Sequence, residues 1–180
     1  MSRSRANPWR TLGSRVVYRN PWIGLREDRV LRPDGLEGIY GVLEAPRAVG
    51  VLALRDDDRV QLVGQWRYAL EGWSWEIVEG GAHADETLLA AGQRELREEA
   101  GLEARAWRAL GEEAHLSNSF TDERAYIYLA TGLTEVGADP EATEQLELRA
   151  EPLDVCLDMV DAGEITDAIT LIALLRLDRW

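Results

Sequence analysis

Cysteine, lysine and long apolar runs are what this sequence of 180 residues has least of. Cys156 is the only cysteine, which excludes an intrachain disulfide and a zinc site built from several cysteines. We therefore expect a reduced, cytoplasmic setting. No run approaches the roughly 18 apolar residues of a membrane span, and the first ten residues lack the apolar core of a secretory signal. We expect a soluble protein.

The charge balance is strongly acidic. The 33 acidic and 20 basic residues give a formal net charge of −13, and every basic residue is arginine. We interpret the missing lysine as coding bias more readily than as function, although arginine suits bidentate contacts to phosphate. Because a nucleic-acid backbone selects for clustered basic residues, we expect no nucleic-acid partner.

The length accommodates one substantial core with a small appended subdomain. Short strand-like stretches and the turn Pro33-Asp34-Gly35 predict an antiparallel β subdomain over residues 1–45. From residue 46 to 180, strand patterns dominate the middle and helical patterns flank them. This order favours an α+β sandwich.

Two predictions concern strands in the second part. The apolar runs 49–55 and 60–65 are joined by the acidic turn Asp56-Asp57-Asp58 and predict a hairpin. Residues 73–78 predict one strand that leads directly into Gly80-Gly81.

Helical spacing over residues 85–100 predicts a helix that is capped by Asp85 or by the preceding loop, with Gly101 just past its end. Its side chains Leu89, Leu96 and Ala100 are expected to face the sheet. Residues 153–162 and 167–177 predict two closing helices.

The most informative spacing lies between residues 80 and 102. It reads Gly80, five residues, Glu86, seven residues, Arg94-Glu95-Leu96, one residue, Glu98-Glu99, one residue, Gly101-Leu102. Since a helix turns by about 100° per residue, Glu95 and Glu99 share one side and Glu98 lies only a little further round. Three carboxylates therefore project into one arc.

Carboxylates gathered in this way repel one another unless a cation lies between them. Arg94 can pair with Glu98, Glu86 can brace the loop by pairing with an arginine, and a divalent ion would offset more of the charge. Mg²⁺ prefers oxygen ligands and completes its shell with water and substrate phosphates. A glutamate-rich helix is usually a solvated face, but the glycines and Glu86 at fixed offsets favour function. We interpret the chain as an enzyme that uses Mg²⁺, with Mn²⁺ as a possible substitute, on a phosphate-containing substrate.

The same residues resemble the Nudix box, and every fixed position of that box is filled. The resemblance covers nearly the whole chain and extends to the ADP-ribose pyrophosphatase branch of the Nudix hydrolases. It includes the N-terminal Pro-Asp-Gly turn, Gln65-Trp66-Arg67, the strand from Glu76 into Gly80, and a closing segment from Gly163 to Leu175.

The resemblance implies an α/β/α Nudix sandwich that hydrolyses a nucleoside diphosphate sugar, ADP-ribose favoured, to a nucleoside monophosphate and a sugar phosphate. It implies a homodimer formed through the N-terminal subdomain, with residues 46–180 as the hydrolase domain. The metal ligands it implies are Glu95, Glu98, Glu99, the main-chain carbonyl of Glu79, and Glu144 with Glu141 as the alternative. Glu98, Glu99 and Glu144 would be catalytic.

The implied substrate-binding residues are Trp22, Arg67, Glu76, Ser117 and Glu123. Arg67 can contact a diphosphate through two hydrogen bonds or form a surface ion pair. Trp22, Trp66, Trp73 and Trp75 could each stack on a base through an aromatic face, and Trp22 is our choice among them.

In one place the sequence departs from the branch. Asn118 stands where ADP-ribose pyrophosphatases often carry a proline, so GDP-mannose or another nucleotide sugar is an alternative substrate. An alternative of another class is a non-catalytic module that senses a nucleotide.

Overall fold

The computed structural model describes residues 6–138 and 145–179, which divide into two compact units. The first unit ends at Pro46 and includes the later segment Ser117–Glu123. The second comprises Arg47–Leu116 and the chain from Arg124 onward.

The first unit is an antiparallel sheet of three strands in the order β1-β2-β3. The strands are β1 (Arg10–Arg19), β2 (Gly24–Leu31) and β3 (Glu37–Glu44). The predicted antiparallel sheet is confirmed.

The segment Ser117–Glu123 joins this unit by pairing with the end of β3. Leu43 donates its N–H to the carbonyl of Phe120 over 2.8 Å, and the Thr121 hydroxyl donates to the Leu43 carbonyl over 2.9 Å. Sequence reasoning missed this return of the chain, because the partners are 77 or more residues apart.

The second unit contains two sheets and three α-helices. One sheet has the order β7-β4-β10-β8 with β9 paired to β10, and the other has the order β11-β5-β6. The only parallel strand pair described within the sheets is β4 with β10. The strands are β4 (Ala48–Ala53), β5 (Arg59–Arg67), β6 (Gly72–Glu76), β7 (Val78–Gly81), β8 (Leu102–Ala109), β9 (Ala114–His115), β10 (Arg124–Glu135) and β11 (Glu147–Pro152), and the helices are α1 (Leu88–Ala100), α2 (Leu153–Asp161) and α3 (Ala168–Asp178).

Helices cover both sides of the sheets. Val49 and Val51 of β4 pack in one buried cluster with Leu96 of α1, whereas Leu52 packs in another cluster with Ile169 of α3. Successive residues of a strand point to opposite faces, so β4 contributes to both layers. The α+β class and the three-layer arrangement are confirmed. Within the described residues, no helix has the length and apolar character needed to cross a bilayer.

The predicted hairpin over 49–65 is wrong. The strands β4 and β5 lie in different sheets, and the only backbone pairing described between their ends is an isolated bridge between Leu54 and Val60. The turn residue Asp58 has a φ of 61° and reverses the chain, but both strands are buried on both faces. The acidic turn is therefore present, but the strands that it connects belong to different sheets.

The single strand predicted over 73–78 is also wrong, because it splits at Ile77 into β6 and β7 of different sheets. The Ile77 N–H donates to the hydroxyl of Thr170 in α3 over 3.0 Å. A helix side chain thus satisfies a donor that a continuous strand would have paired.

The predicted helix begins at Leu88, three residues later than expected. Thr87 caps it, since its Oγ1 accepts the N–H of Ala90 over 3.1 Å, and Asp85 is not the cap. Leu89 is exposed rather than packed on the sheet, while Leu96 and Ala100 are buried as expected. The two closing helices lie within one residue of the predicted bounds.

We expect Gly101→Ala to destabilise the fold more than Gly137→Ala. Both glycines have positive φ, which costs a residue with a Cβ about 1–2 kcal/mol. A Cβ at Gly101 would also lie 2.5 Å from the backbone nitrogen of Ala138, whereas a Cβ at Gly137 meets nothing within 4 Å. The free energy of unfolding in urea should fall by at least about 1 kcal/mol more for Gly101→Ala. Equal losses would contradict the steric argument.

Candidate functional site

Arg94 lies among the carboxylates of α1. Its Nη1 donates to Glu95 over 2.7 Å and to Glu98 over 3.0 Å, and its Nε and Nη2 donate to the two oxygens of Glu86. Its Nη2 also donates to the carbonyl of Gly81 over 3.0 Å. Hydrogen bonding to Arg94 lowers the pKa of Glu86. The predicted pairing of Arg94 with Glu98, and of Glu86 with an arginine, is present.

Gly80 allows the Glu95 carboxylate to lie directly against strand β7. A Cβ at Gly80 would fall 1.9 Å from the Glu95 Oε1 and 2.0 Å from its Cδ, so any other residue here would displace the Glu95 carboxylate. The first glycine of the motif therefore creates the space that an acidic side chain fills.

Glu99 ties α1 to the residue that precedes this glycine. Its side chain is buried, and its Oε2 accepts the main-chain N–H of Glu79 over 3.1 Å. This hydrogen bond joins α1 to strand β7. The bond also fixes the peptide unit next to the Glu79 carbonyl, which was expected as a ligand.

The side chain of Glu79 takes part in a second network, with α3. The Thr170 hydroxyl donates to the Glu79 Oε1 over 3.0 Å, and Asp167, which caps α3, lies beside it. Burial, then the charge of Asp167 and a hydrogen bond to it, raise the pKa of Glu79 well above its usual value. Sequence reasoning identified neither Thr170 nor Asp167 as part of the site. Asp167 was recognisable as a helix start, but nothing local indicated its pairing with Glu79.

Arg67 of β5 and Glu76 of β6 form an ion pair with two hydrogen bonds, which we call the Arg67–Glu76 fork. The Arg67 Nε donates to the Glu76 Oε1 over 2.9 Å, and its Nη2 donates to the Glu76 Oε2. Hydrogen bonding to Glu76 raises the pKa of Arg67, and Glu76 is only 2% exposed. The ion pair is thus a partly buried one, and two of the guanidinium nitrogens already have a carboxylate partner.

The remaining expected residues are placed as follows. Trp22, Ser117 and Glu123 belong to the first unit, where the Glu123 N–H donates to the Thr121 hydroxyl over 3.1 Å. Trp22 is exposed. Glu144 and its alternative Glu141 lie outside the described residues.

The donor chemistry of α1 fits a divalent ion. Glu95, Glu98 and Glu99 supply the carboxylate oxygens that hard cations prefer, and the guanidinium of Arg94 occupies a cationic position between two of them. In the present conformation, no three acidic, histidine or cysteine side chains of the described ranges form a group that could hold a metal ion. The arginine therefore supplies the counter-charge in this arrangement.

Comparison with known protein families identifies the family of this chain. Residues 44–168 match the Nudix domain, and residues 9–43 match the N-terminal domain of nucleoside diphosphate sugar hydrolases. The chain belongs to the Nudix family. The resemblance of its glutamate helix to the Nudix box is thereby confirmed, as is the interpretation as a Nudix hydrolase. Nudix hydrolases generally need a divalent metal.

Individual relatives of this Nudix chain carry different names. An ADP-ribose pyrophosphatase of Mycobacterium tuberculosis is 32% identical, over 92% of this chain and 81% of that protein. A CMP-5'-(N-acetyl-N-hydroxy-3-aminopropyl)phosphonate hydrolase of Streptomyces rubellomurinus is 28% identical, over 93% of this chain and 81% of that protein. A crystal structure of an ADP compounds hydrolase superposes with a TM-score of 0.86, covers 99% of this chain and 96% of its own, and shares 21% of its sequence. The superposition supports the Nudix fold.

We expect Gly80→Ala to weaken the binding of Mn²⁺ about tenfold, because a Cβ at this position displaces the Glu95 carboxylate. Mn²⁺ titration followed by electron paramagnetic resonance measures the affinity directly. Gly13→Ala is the matched control, since its Cβ meets nothing within 4 Å. Unchanged Mn²⁺ affinity in a folded Gly80→Ala protein would show that Glu95 is not a ligand.

Proposed function

We propose that this Nudix chain is a Mg²⁺-dependent pyrophosphatase of nucleoside diphosphate sugars, with ADP-ribose as the favoured substrate. The products are a nucleoside monophosphate and a sugar phosphate. The observation that carries the proposal is the acidic face of α1, which Gly80 and the Glu79 main chain hold against strand β7. The match to the N-terminal domain of nucleoside diphosphate sugar hydrolases and the name of the mycobacterial relative support the substrate class.

In this proposal Glu95, Glu98 and Glu99 hold the metal, together with the main-chain carbonyl of Glu79. Glu144 is expected to contribute a further carboxylate. Bound Mg²⁺, for which Mn²⁺ can substitute, would neutralise the charge of the diphosphate and activate the attacking water.

The three helix carboxylates have different environments, which suggests different tasks. Glu99 is buried and bonded to the main chain, so it anchors the strand. Glu98 is partly exposed and is held by Arg94, so it is accessible to a water molecule and can orient it. Removal of either charge should therefore impair catalysis.

Substrate contacts in the proposal come from Arg67, Glu76, Trp22, Ser117 and Glu123. Arg67 would approach the diphosphate with Nη1, the nitrogen that takes no part in its fork with Glu76. Trp22 offers an exposed aromatic ring for a base.

We expect Glu98→Gln and Glu99→Gln to lower kcat/KM for ADP-ribose by about 100-fold or more. Each change keeps the size of the side chain but removes a charged oxygen ligand, and loss of a catalytic ion costs several kcal/mol of transition-state stabilisation. Release of the monophosphate in Mg²⁺ measures the effect. Glu112→Gln, in an exposed loop, removes the same charge and should retain full activity.

A panel of substrates tests the wider proposal. ADP-ribose, GDP-mannose, NADH and dinucleoside polyphosphates are incubated with Mg²⁺ or Mn²⁺, and monophosphate products are quantified. Higher kcat/KM for GDP-mannose than for ADP-ribose would change the favoured substrate. Binding without turnover of any compound would establish a nucleotide-sensing module and overturn the proposed activity.

We further propose that residues 1–45 are a dimerisation subdomain and residues 46–180 the catalytic domain of a cytoplasmic homodimer. Support comes from exposed apolar side chains on the three-stranded sheet, including Val16, Tyr18 and Ile39. Strand β1 contributes ten residues of which only one is partly buried. An uncovered strand with apolar side chains favours association with a second copy.

We expect the wild-type chain to sediment as a dimer and Val16→Asp to sediment as a monomer. Val16 is 58% exposed, and a carboxylate there would be desolvated in an interface. Val136→Asp makes the same change at an exposed position of the second unit and should leave the dimer intact. A monomeric wild type, or a dimeric Val16→Asp, would contradict the proposal.

A further inference from the structure

A cavity of about 610 Å³ opens between α1 and β8 in the second unit. Its lining includes Gln93 and Arg97 of the helix and Glu103 and Trp107 of the strand. The volume lies within the range of sites that hold small molecules, about 300–1,000 Å³. These side chains therefore surround enough space for a ligand of the size of a nucleotide.

The cavity lies on a different flank of α1 from the proposed metal site. Glu95 lies against Gly80 of β7, whereas the guanidinium of Arg97 lies 3.7 Å from the carboxylate of Glu103 in β8. The strands β7 and β8 are the first and last of the order β7-β4-β10-β8. A ligand between α1 and β8 therefore does not occupy the β7 side of the helix.

Trp107 forms a fixed aromatic wall at one end of the cavity. Its Nε1 donates to the Ala104 carbonyl over 3.1 Å, and its ring meets the ring of Tyr128 edge-on with 6.2 Å between the centroids. Its Cζ3 lies 3.6 Å from the position that a Cβ on Gly92 would take, so the helix backbone packs against the ring. A ring held in this way can stack on a base with little further loss of side-chain freedom.

The other end of the cavity is polar. The side chains of Arg97 and Glu103 are 64% and 58% exposed, and their separation of 3.7 Å is longer than a hydrogen bond. Because an exposed ion pair of this kind contributes little stability, a ligand can replace it at small cost. Arg97 is then able to bind a phosphate, and the Glu103 carboxylate to accept hydrogen bonds from ribose hydroxyls.

The spacing of the lining matches the length of a nucleoside monophosphate. Gln93 precedes Arg97 by one turn, about 6 Å along α1, and Trp107 follows Glu103 by four residues, about 13 Å along β8. The contacts of Arg97 with Glu103 and of Gly92 with Trp107 place Gln93 at the aromatic end. A glutamine amide pairs with N6 and N7 of adenine through two hydrogen bonds, so the aromatic end is suited to adenine.

We propose that the cavity between α1 and β8 binds adenosine monophosphate (AMP) at a site separate from the proposed catalytic one. The adenine stacks on Trp107 and pairs with the Gln93 amide. The phosphate bonds to Arg97, and the ribose hydroxyls donate to Glu103. The inference goes beyond the proposed function, because it concerns binding and needs no turnover.

The cavity is also connected to the proposed metal site. Arg94 and Glu98 belong to its lining, and the Arg94 Nη1 donates to Glu95 over 2.7 Å and to Glu98 over 3.0 Å. A nucleotide in the cavity therefore contacts the arginine that holds these carboxylates. Since the proposed reaction releases a nucleoside monophosphate, AMP bound here would inhibit turnover without competing with the substrate.

Calorimetry tests the site directly. AMP is titrated into the protein in EDTA, which removes the metal that would bridge a nucleotide to the carboxylates of the proposed catalytic site. We expect one AMP per chain in the wild type and about 10-fold weaker binding to Gln93→Ala and to Arg97→Gln. Both side chains are exposed, so the variants should fold. Arg29→Gln, which removes the same charge at an exposed position of β2, and Glu99→Gln should bind AMP as the wild type does.

The chemistry of the ligand gives a second readout. Guanine presents two acceptors where adenine presents a donor and an acceptor, so GMP should bind the wild type about 10-fold more weakly than AMP. Ribose 5-phosphate should also bind more weakly than AMP, because it has no base to stack on Trp107. Equal affinity of the wild type for AMP and either other compound, unchanged AMP affinity in Gln93→Ala or Arg97→Gln, or no binding of AMP at millimolar concentrations would overturn the proposal.

Inhibition kinetics separate this site from the proposed catalytic one. If the wild type hydrolyses ADP-ribose, AMP should lower kcat and leave KM unchanged, and Arg97→Gln should relieve the inhibition. Purely competitive inhibition would place AMP in the catalytic site and overturn the proposal. If no member of the substrate panel is hydrolysed, the proposed activity fails, and calorimetry alone still decides whether AMP binds between α1 and β8.

Discussion

The close approach of the Glu95 side chain to the backbone at Gly80 is the constraint on which the candidate site depends. Because Gly80 has no Cβ, the Glu95 carboxylate can occupy the space that the Cβ of any other residue at position 80 would fill. The bond from the Glu79 N–H to Glu99 then fixes the same strand to α1 one residue earlier. Helix and strand thereby hold two carboxylates against the main chain of β7, and the proposed metal site rests on this contact.

Electrostatics explains how such a concentration of acid is stable in the folded chain. The Arg94 guanidinium bonds to Glu86, Glu95 and Glu98 and neutralises part of their repulsion. Because the same side chain also bonds to the Gly81 carbonyl, it connects the loop before α1 to the middle of the helix. Arg94 therefore has a structural task that does not depend on bound metal. A divalent ion would add to a framework that is already folded.

The features that sequence analysis predicted are those that depend on local spacing. Periodicity and the motif predicted a helix over 85–100, observed over 88–100, with its acidic face, and they predicted the α+β class. The fixed offsets indicated the Nudix assignment. The features it missed depend on partners distant in the chain. The division of β6 from β7 rests on a bond from Ile77 to Thr170, 93 residues later, and the tie between Glu79 and Thr170 spans 91 residues. No local pattern encodes such pairs, and the same holds for the separation of β4 from β5.

The double role of Thr170 has a consequence for how this protein can change over time. The Thr170 hydroxyl accepts a hydrogen bond from the Ile77 N–H and donates one to Glu79. The neighbouring Asp167 caps α3 and contacts the same glutamate. A substitution at any one of these positions leaves a buried polar group without its hydrogen-bond partner. Lineages that replace Glu79 with an apolar residue should therefore have altered the start of α3 as well. The two segments are expected to covary although they are far apart in the sequence.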